Sequence, residues 1–132
     1  PCRILMIPGW PPNFSPIEFR CKCCGTIGNE HIARHLAWEL QRIRDLVGPL
    51  KINSAYRCPK HNKKVGGASQ SLHLESMAAD LVSAEVTPDK LQDTILGLME
   101  HNRIPNGGLG RYNSFTHYDI RLNPARWDHR SK

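Results

Sequence analysis

Apolar residues recur at intervals of three and four positions in two separate parts of the chain. The first series follows Asn29, ends before Gly48 and Pro49, and contains Ile32, Leu36, Leu40, Ile43 and Val47. The second follows Thr87 and Pro88 and contains Leu91, Ile95, Leu98 and Met99. This spacing predicts two amphipathic helices, and their polar, proline and glycine neighbours are typical of helix ends.

Four other segments have the short apolar or alternating pattern of β-strands. Residues 50–57 alternate, and residues 78–84 (AADLVSA) are short and apolar. GLGRY and FTHYDIR follow, joined by a turn at Asn113–Ser114. We therefore expect an α+β fold in which a small, mostly antiparallel sheet packs against two main helices.

The remaining segments are polar or rich in proline. We expect residues 1–14 to form an extended N-terminal arm, residues 58–72 a polar loop, and residues 123–132 a basic tail in solvent. A length of 132 residues fits one domain, residues 1–132. The net charge of +6 favours anionic partners. No apolar run is long enough to cross a bilayer, so we expect no membrane insertion.

The FTHYDIR strand carries the clearest chemical pattern. Because side chains alternate across a strand, Phe115, His117, Asp119 and Arg121 share one face. Ionisable groups of this kind need partners when they are buried, so the face suits an active site better than a core. By itself, the pattern also fits an ordinary surface strand.

A second segment, SLHLESMAAD, changes the interpretation of that strand. It places His73 in a polar region and Asp80 inside the apolar strand. Together with His117 they form a His, Asp, His set, and three N and O ligands with one open position describe a catalytic zinc site. A metal cation would also explain why a carboxylate lies in an apolar strand. We therefore expect Zn²⁺ on the sheet.

Two longer motifs resemble a known family. INSAYRCPKHNKKVGGASQSLHLESMAAD and GGLGRYNSFTHYDIR are similar to motifs of the zinc D-Ala-D-Ala carboxypeptidases, which include VanX-type dipeptidases and phage endolysins and share the hedgehog-related fold. More narrowly, the chain looks like the short phage- and prophage-associated members of that family. The resemblance implies a zinc metallopeptidase that cleaves peptidoglycan stem peptides, either as a D-Ala-D-Ala carboxypeptidase or as an L-Ala-D-Glu endopeptidase.

The resemblance also implies roles for individual residues. The family's zinc ligands match His73, Asp80 and His117. Arg57 matches the residue that stabilises the oxyanion or binds the peptide. Ser71 matches a serine that binds the substrate. Asp119 is the candidate that activates the water. Many relatives place that carboxylate three residues before the last histidine ligand, where this chain has Ser114. Asp119 could instead bind zinc while His117 transfers protons. A further departure is Ser76, where relatives usually have glycine.

The cysteines allow two interpretations. Cys21, Cys23, Cys24 and Cys58, with His61, could hold a second, structural metal. Alternatively, they are buried thiols or contain one disulfide. The odd total of five cysteines argues against a complete disulfide framework.

Two other functions remain open from the sequence. The scaffold could serve as a non-catalytic binding domain, or the basic chain could bind nucleic acid. A non-catalytic binding domain would have a damaged catalytic set, whereas the expected set is complete here. A nucleic-acid-binding module would have aromatic residues interleaved with Lys and Arg, and the sequence has no such stripe. We therefore expect a monomeric enzyme with a peptidoglycan peptide as its partner. Its site of action is either the cell wall after release from the cytoplasm or the exterior after secretion.

Overall fold

The computed structural model describes residues 9–131, which fold into an α+β structure as predicted. Most of the expected N-terminal arm lies outside this range. The helices are α1 (Glu30–Val47), α2 (Pro59–Lys64) and α3 (Pro88–Glu100). The strands are β1 (Leu50–Ser54), β2 (Ala78–Ser83), β3 (Gly108–Arg111), β4 (Thr116–Asp119) and β5 (Ala125–Asp128). Two 3₁₀ turns lie at Pro16–Phe19 and Leu72–Glu75.

Both main helices begin at the predicted caps. The Asn29 side chain accepts a hydrogen bond from the Ile32 N–H at 3.0 Å, and α1 ends at Gly48, whose φ is 84°. Thr87 caps α3 by accepting from the Lys90 N–H at 3.2 Å. Each cap satisfies an amide that has no partner inside its helix, which fixes where the helix starts.

One five-stranded sheet has the strand order β1-β2-β4-β3-β5. The first three pairings in this order are antiparallel, and β5 runs parallel to β3. The sheet is therefore mostly antiparallel, as expected. None of the helices between residues 9 and 131 is long and apolar enough to cross a membrane.

The core lies between the two main helices and one face of the sheet. Its buried members include Leu36, Leu40, Ile95, Leu81, Leu109 and Tyr118. Because strand side chains alternate, placing Tyr118 in the core turns His117 and Asp119 to the opposite face of β4. The core thus determines which face of the sheet carries the polar cluster.

Two segments differ from their expected conformations. The expected loop over residues 58–72 contains α2, since the Cys58 sulfur accepts a hydrogen bond from the His61 N–H and Pro59 occupies the first helical position. The expected solvated tail over residues 123–132 contains β5, which pairs with β3. Strand β5 forms through pairing with residues distant in sequence, so the local sequence pattern does not predict it.

Candidate metal centre

Three separate elements bring the predicted ligands together. His73 lies in the Leu72–Glu75 turn, Asp80 in β2 and His117 in β4. In the β2–β4 ladder Asp80 and His117 are direct cross-strand partners. Ser71 positions the turn, because its hydroxyl oxygen accepts from the His73 N–H at 3.2 Å. The three side chains therefore converge on one face of the sheet.

Two of the three separations among these side chains match those of a tetrahedral zinc site. Asp80 Oδ1 lies 3.3 Å from His73 Nε2 and 3.3 Å from His117 Nδ1. One donor atom from each residue falls within 4.8 Å of the other two. Tetrahedral zinc with bonds of about 2.05 Å separates neighbouring ligands by about 3.3 Å. The donor types and their convergence thus fit Zn²⁺.

A backbone carbonyl fixes the orientation of His73. Its Nδ1 lies 2.7 Å from the Ala55 carbonyl oxygen, which can only accept a hydrogen bond. The proton is therefore assigned to Nδ1, and Nε2 keeps a lone pair directed at Asp80. His73 is 2% exposed, so solvent does not compete for this arrangement.

A carboxylate fixes the orientation and the tautomer of His117. Asp119 Oδ2 lies 2.6 Å from His117 Nε2 and assigns the proton to that nitrogen. Nδ1 is left as the acceptor that points at Asp80 and the ligand group. A carboxylate behind a ligating histidine orients the ring and makes it a stronger ligand. Asp119 is fully buried, and the ligand group contains Asp80 instead.

The carboxylate of Asp119 is held on all sides by donors. Oδ1 accepts from the Gly108 N–H at 2.9 Å and from the backbone and side chain of Arg121 at 3.1 and 2.8 Å. Oδ2 accepts from Arg121 Nη2 at 2.7 Å, in addition to His117. Burial acts to raise the pKa of Asp119, but Arg121 and His117 outweigh it and hold that pKa well below its usual range. Asp119 is thus a fixed anion.

Glycine is required at position 108 for this arrangement. A Cβ on Gly108 would overlap the Asp119 carboxylate. On the same strand, a Cβ on Gly110 would overlap the indole ring of Trp127. The GLG sequence of β3 therefore makes room for one buried carboxylate and one aromatic ring.

The ligand carboxylate and His117 influence each other's protonation. Burial acts to raise the pKa of Asp80; without a metal, however, the facing nitrogens of His117 and His73 can carry a proton and donate to the carboxylate, and these hydrogen bonds hold that pKa well below its usual range. Burial acts to lower the pKa of His117, but Asp119 and Asp80 raise it overall. The negative charge of Asp80 and Asp119 beside the imidazoles favours a bound positive charge, whether a proton or a metal ion.

Arg57 lies beside the ligands with part of its guanidinium unsatisfied. Its backbone N–H donates to the His73 carbonyl at 3.0 Å, which ties it to the metal-binding turn. Nη2 is 3.5 Å from Ser71 Oγ, whereas buried Nε has no acceptor among the residues of the described chain. Burial lowers the pKa of Arg57, with Asp80 partly offsetting it.

An open cleft of about 540 Å³ leads to these groups. Its lining includes Arg57, Ser71, His73, Asp80 and His117. Three aromatic residues also line it: Tyr112 stacks on Phe115 with ring centroids 4.2 Å apart, and Trp127 lies 4.9 Å from the His117 ring. The Trp127 Nε1–H donates to the Tyr112 hydroxyl at 2.9 Å. The alternation in FTHYDIR predicted Phe115 on this face, whereas the expected solvated tail over residues 123–132 gave no position for Trp127.

Ser76, where relatives usually have glycine, occupies a position suited to glycine. Its φ of 63° is in the left-handed region. The buried hydroxyl accepts from the Asn29 N–H and donates to the Ile27 carbonyl, both at 3.0 Å. These two bonds compensate for the backbone strain and join the metal-binding turn to the start of α1.

A second group of possible ligands lies outside the cleft lining. The sulfur atoms of Cys21, Cys24 and Cys58 fall within 4.8 Å of one another, whereas Cys23 and His61 are not part of the group. Burial acts to raise the pKa of Cys21, but backbone N–H donors outweigh it and lower that pKa to about 7. The cluster predicted from the sequence is thus reduced to three converging cysteines.

Comparison with known proteins agrees with the geometry. A zinc D-Ala-D-Ala carboxypeptidase of Streptomyces albus G is 36% identical over 80 residues, which are 54% of this chain and 31% of that protein. The chain spans about a third of the length of this relative. The family model described as Peptidase M15 matches residues 12–119. Since that match covers most of the chain and contains all three predicted ligands, the chain belongs to the peptidase M15 family.

Proposed function

We propose that this chain is a zinc-dependent peptidase that hydrolyses peptide bonds in peptidoglycan stem peptides. Family membership supports the reaction class. The printed name of the Streptomyces relative supports both zinc and a D-Ala-D-Ala substrate. The net charge of +6 is compatible with an anionic cell wall. We further propose that the chain acts as a monomer and without nucleic acid.

One observation carries the proposal. His73 Nε2 and His117 Nδ1 each lie 3.3 Å from Asp80 Oδ1, and each imidazole has its other nitrogen bound to an acceptor. A chance group of polar side chains would not have both tautomers fixed in the orientation that metal binding needs. The arrangement supports a preformed zinc site with three protein ligands.

Zinc at such a site supplies Lewis acidity and lowers the pKa of a coordinated water towards neutrality. The chain's own contribution is to fix the ligands and to bind the peptide. Backbone and side-chain contacts hold His73 and His117 rigidly, so that little reorganisation is needed during the reaction.

Arg57 and Ser71 are the proposed substrate contacts. Both line the cleft beside the ligands. The Arg57 guanidinium lines the cleft and is suited to donate to a peptide carbonyl, to a terminal carboxylate, or to the oxyanion that develops on the carbonyl. The Ser71 oxygen already accepts from the His73 N–H, so its hydroxyl hydrogen remains available for a substrate acceptor.

Asp119 is proposed to position His117. We expected this residue to accept the proton of the attacking water, and that role stays a prediction. Its full burial and its five hydrogen bonds favour the positioning role. Ser114, at the position where many relatives have a carboxylate, offers no alternative base.

Defined stem peptides test the proposal and identify the bond. Zinc-loaded protein is incubated with a pentapeptide ending in D-Ala-D-Ala, and the products are separated by mass. Release of free D-Ala indicates a carboxypeptidase, and cleavage after L-Ala indicates an endopeptidase. His73→Ala should abolish either activity, with His101→Ala as a control in an exposed histidine. Zinc-loaded, folded protein that leaves every stem peptide intact would instead indicate a binding domain.

A further inference from the structure

The three converging cysteines lie on two segments that are distant in sequence. Cys21 and Cys24 belong to a tight turn in which the Cys21 N–H donates to Thr26 O at 2.6 Å and the Gly25 N–H donates to Cys21 O at 2.8 Å. Cys58 comes from the start of α2. The Tyr56 N–H donates to Phe19 O at 3.2 Å and holds the two segments together.

We propose that the thiolates of Cys21, Cys24 and Cys58 bind a second zinc ion, which has a structural role. Tetrahedral zinc with Zn–S bonds of about 2.3 Å separates its sulfur ligands by about 3.8 Å. The three sulfurs lie within 4.8 Å of one another, so small side-chain rotations close the site. The two cysteines of the turn follow the Cys-x-x-Cys-Gly pattern (Cys21 to Gly25) typical of zinc-binding turns.

Backbone N–H groups point at the Cys21 sulfur and favour its anionic form. The Cys23 and Cys58 N–H groups both donate to Cys21 Sγ at 3.4 Å. Several N–H donors directed at a fully buried sulfur stabilise negative charge, which is the state a metal ligand requires. The Cys58 sulfur likewise accepts from the His61 N–H at 3.4 Å.

A metal explains the group better than a disulfide does. A disulfide would join two sulfurs and leave the third beside the bond without a function. Three sulfurs from one tight turn and one helix start form an incomplete tetrahedron, and structural zinc sites usually have four protein ligands. His61 follows Cys58 by three residues; its ring lies outside the converging group and would have to rotate towards it to supply the fourth ligand.

The second zinc would support the proposed active site. Cys58 directly follows Arg57, and the Arg57 N–H binds the His73 carbonyl. A cross-link from Cys58 to the turn at residues 21–24 would therefore fix the backbone on which Arg57 and the metal-binding turn depend. Structural zinc also contributes directly to folding free energy in small domains.

Metal analysis of the protein purified under reducing conditions tests this proposal. We expect two zinc ions per wild-type chain, and one in Cys24→Ser and in Cys58→Ser. Cys23→Ser is the matched control, because the Cys23 side chain is exposed and lies outside the group; it should retain two. His61→Ala should release the second zinc faster to a chelator, and an unchanged release rate would refute the assignment of His61.

Cobalt substitution keeps the test valid if a cysteine variant fails to fold. His73→Ala removes the proposed catalytic site and should still bind one Co²⁺ with a thiolate-to-cobalt charge-transfer band. That result is independent of any peptidase activity. A single zinc that is lost in His73→Ala and kept in Cys58→Ser, a cobalt spectrum without the thiolate band, a disulfide under reducing conditions, or iron in place of zinc would overturn the proposal.

Discussion

Replacing Asp119 with asparagine separates a positioning role from a proton-accepting role. The substitution keeps the size of the side chain and removes one charge. Asp119 is fully buried, and the Asp119 carboxylate faces donors only, from His117, Gly108 and Arg121. The variant therefore changes hydrogen bonding at one site and leaves the surrounding packing in place.

Neither orientation of the new amide fits this environment. If the amide NH₂ replaces Oδ2, it faces the N–H groups of His117 and Arg121. If it replaces Oδ1, it faces the N–H groups of Gly108 and Arg121. The least costly relief is for His117 to move its proton to Nδ1, so that Nε2 accepts from the amide. Nδ1 then has no lone pair for zinc.

The size of the effect follows from these contacts. Loss of a carboxylate behind a ligating histidine typically weakens metal binding by about 10- to 100-fold. This corresponds to about 1.4–2.7 kcal/mol of zinc-binding free energy. Hydrogen bonds to a charged group contribute about 1.5–3 kcal/mol each, so the metal-free protein should also lose stability.

Zinc affinity and hydrolysis are measured on the same preparations. Asp119→Asn should bind zinc about 10- to 100-fold more weakly in competition with a chelator. It should also recover part of its hydrolytic activity when free zinc is raised. Asp45→Asn, in an exposed carboxylate on α1, is the matched control. Unchanged zinc affinity together with lost hydrolysis would refute the positioning role and support Asp119 as the base.

Three further predictions concern stability and substrate binding. Ser76→Ala leaves the Asn29 N–H without its acceptor and should lower the free energy of unfolding by about 2 kcal/mol in urea titrations; Ser76→Gly should cost about 1 kcal/mol less, because glycine relieves the left-handed backbone. Arg57→Lys should lower kcat/KM for a stem peptide about 100-fold at unchanged zinc content, since lysine has no planar fork of donors; an unchanged kcat/KM would contradict the proposed contact. Because folding lowers the pKa of Asp119, the ionised carboxylate stabilises the folded state at pH values above about 3.9, the ordinary pKa of an aspartate. This contribution is lost as the pH falls below that value. Metal-free wild type should therefore lose stability in acid more steeply than Asp119→Asn, and parallel curves would contradict this.

The sequence predicts the helices and the ligand set because their signals are local. Asn29 and Thr87 cap their own helices within three residues. The alternation in FTHYDIR places His117 and Asp119 on one face, and the structure keeps them there, 2.6 Å apart. The convergence of His73, Asp80 and His117 was predicted from their ligand chemistry and from the family resemblance, since no local rule pairs β2 with β4.

Features that depend on distant contacts were not predicted. Strand β5 exists because it pairs in parallel with β3. The space required by Asp119 and Trp127 accounts for the glycines of β3, but the sequence alone does not show which side chains occupy it. The fixed tautomer of His73 depends on the Ala55 carbonyl, a backbone group that residue types do not reveal.

Digestion of intact, purified peptidoglycan tests the central claim most directly. Zinc-loaded wild type and a zinc-treated His73→Ala variant are incubated with the same wall preparation, and soluble products are identified by mass. We predict that the wild type releases D-Ala or stem peptides cut at one defined bond and that the variant releases none. A folded wild type with zinc bound at His73, Asp80 and His117 that releases no peptide or amino acid would contradict the account.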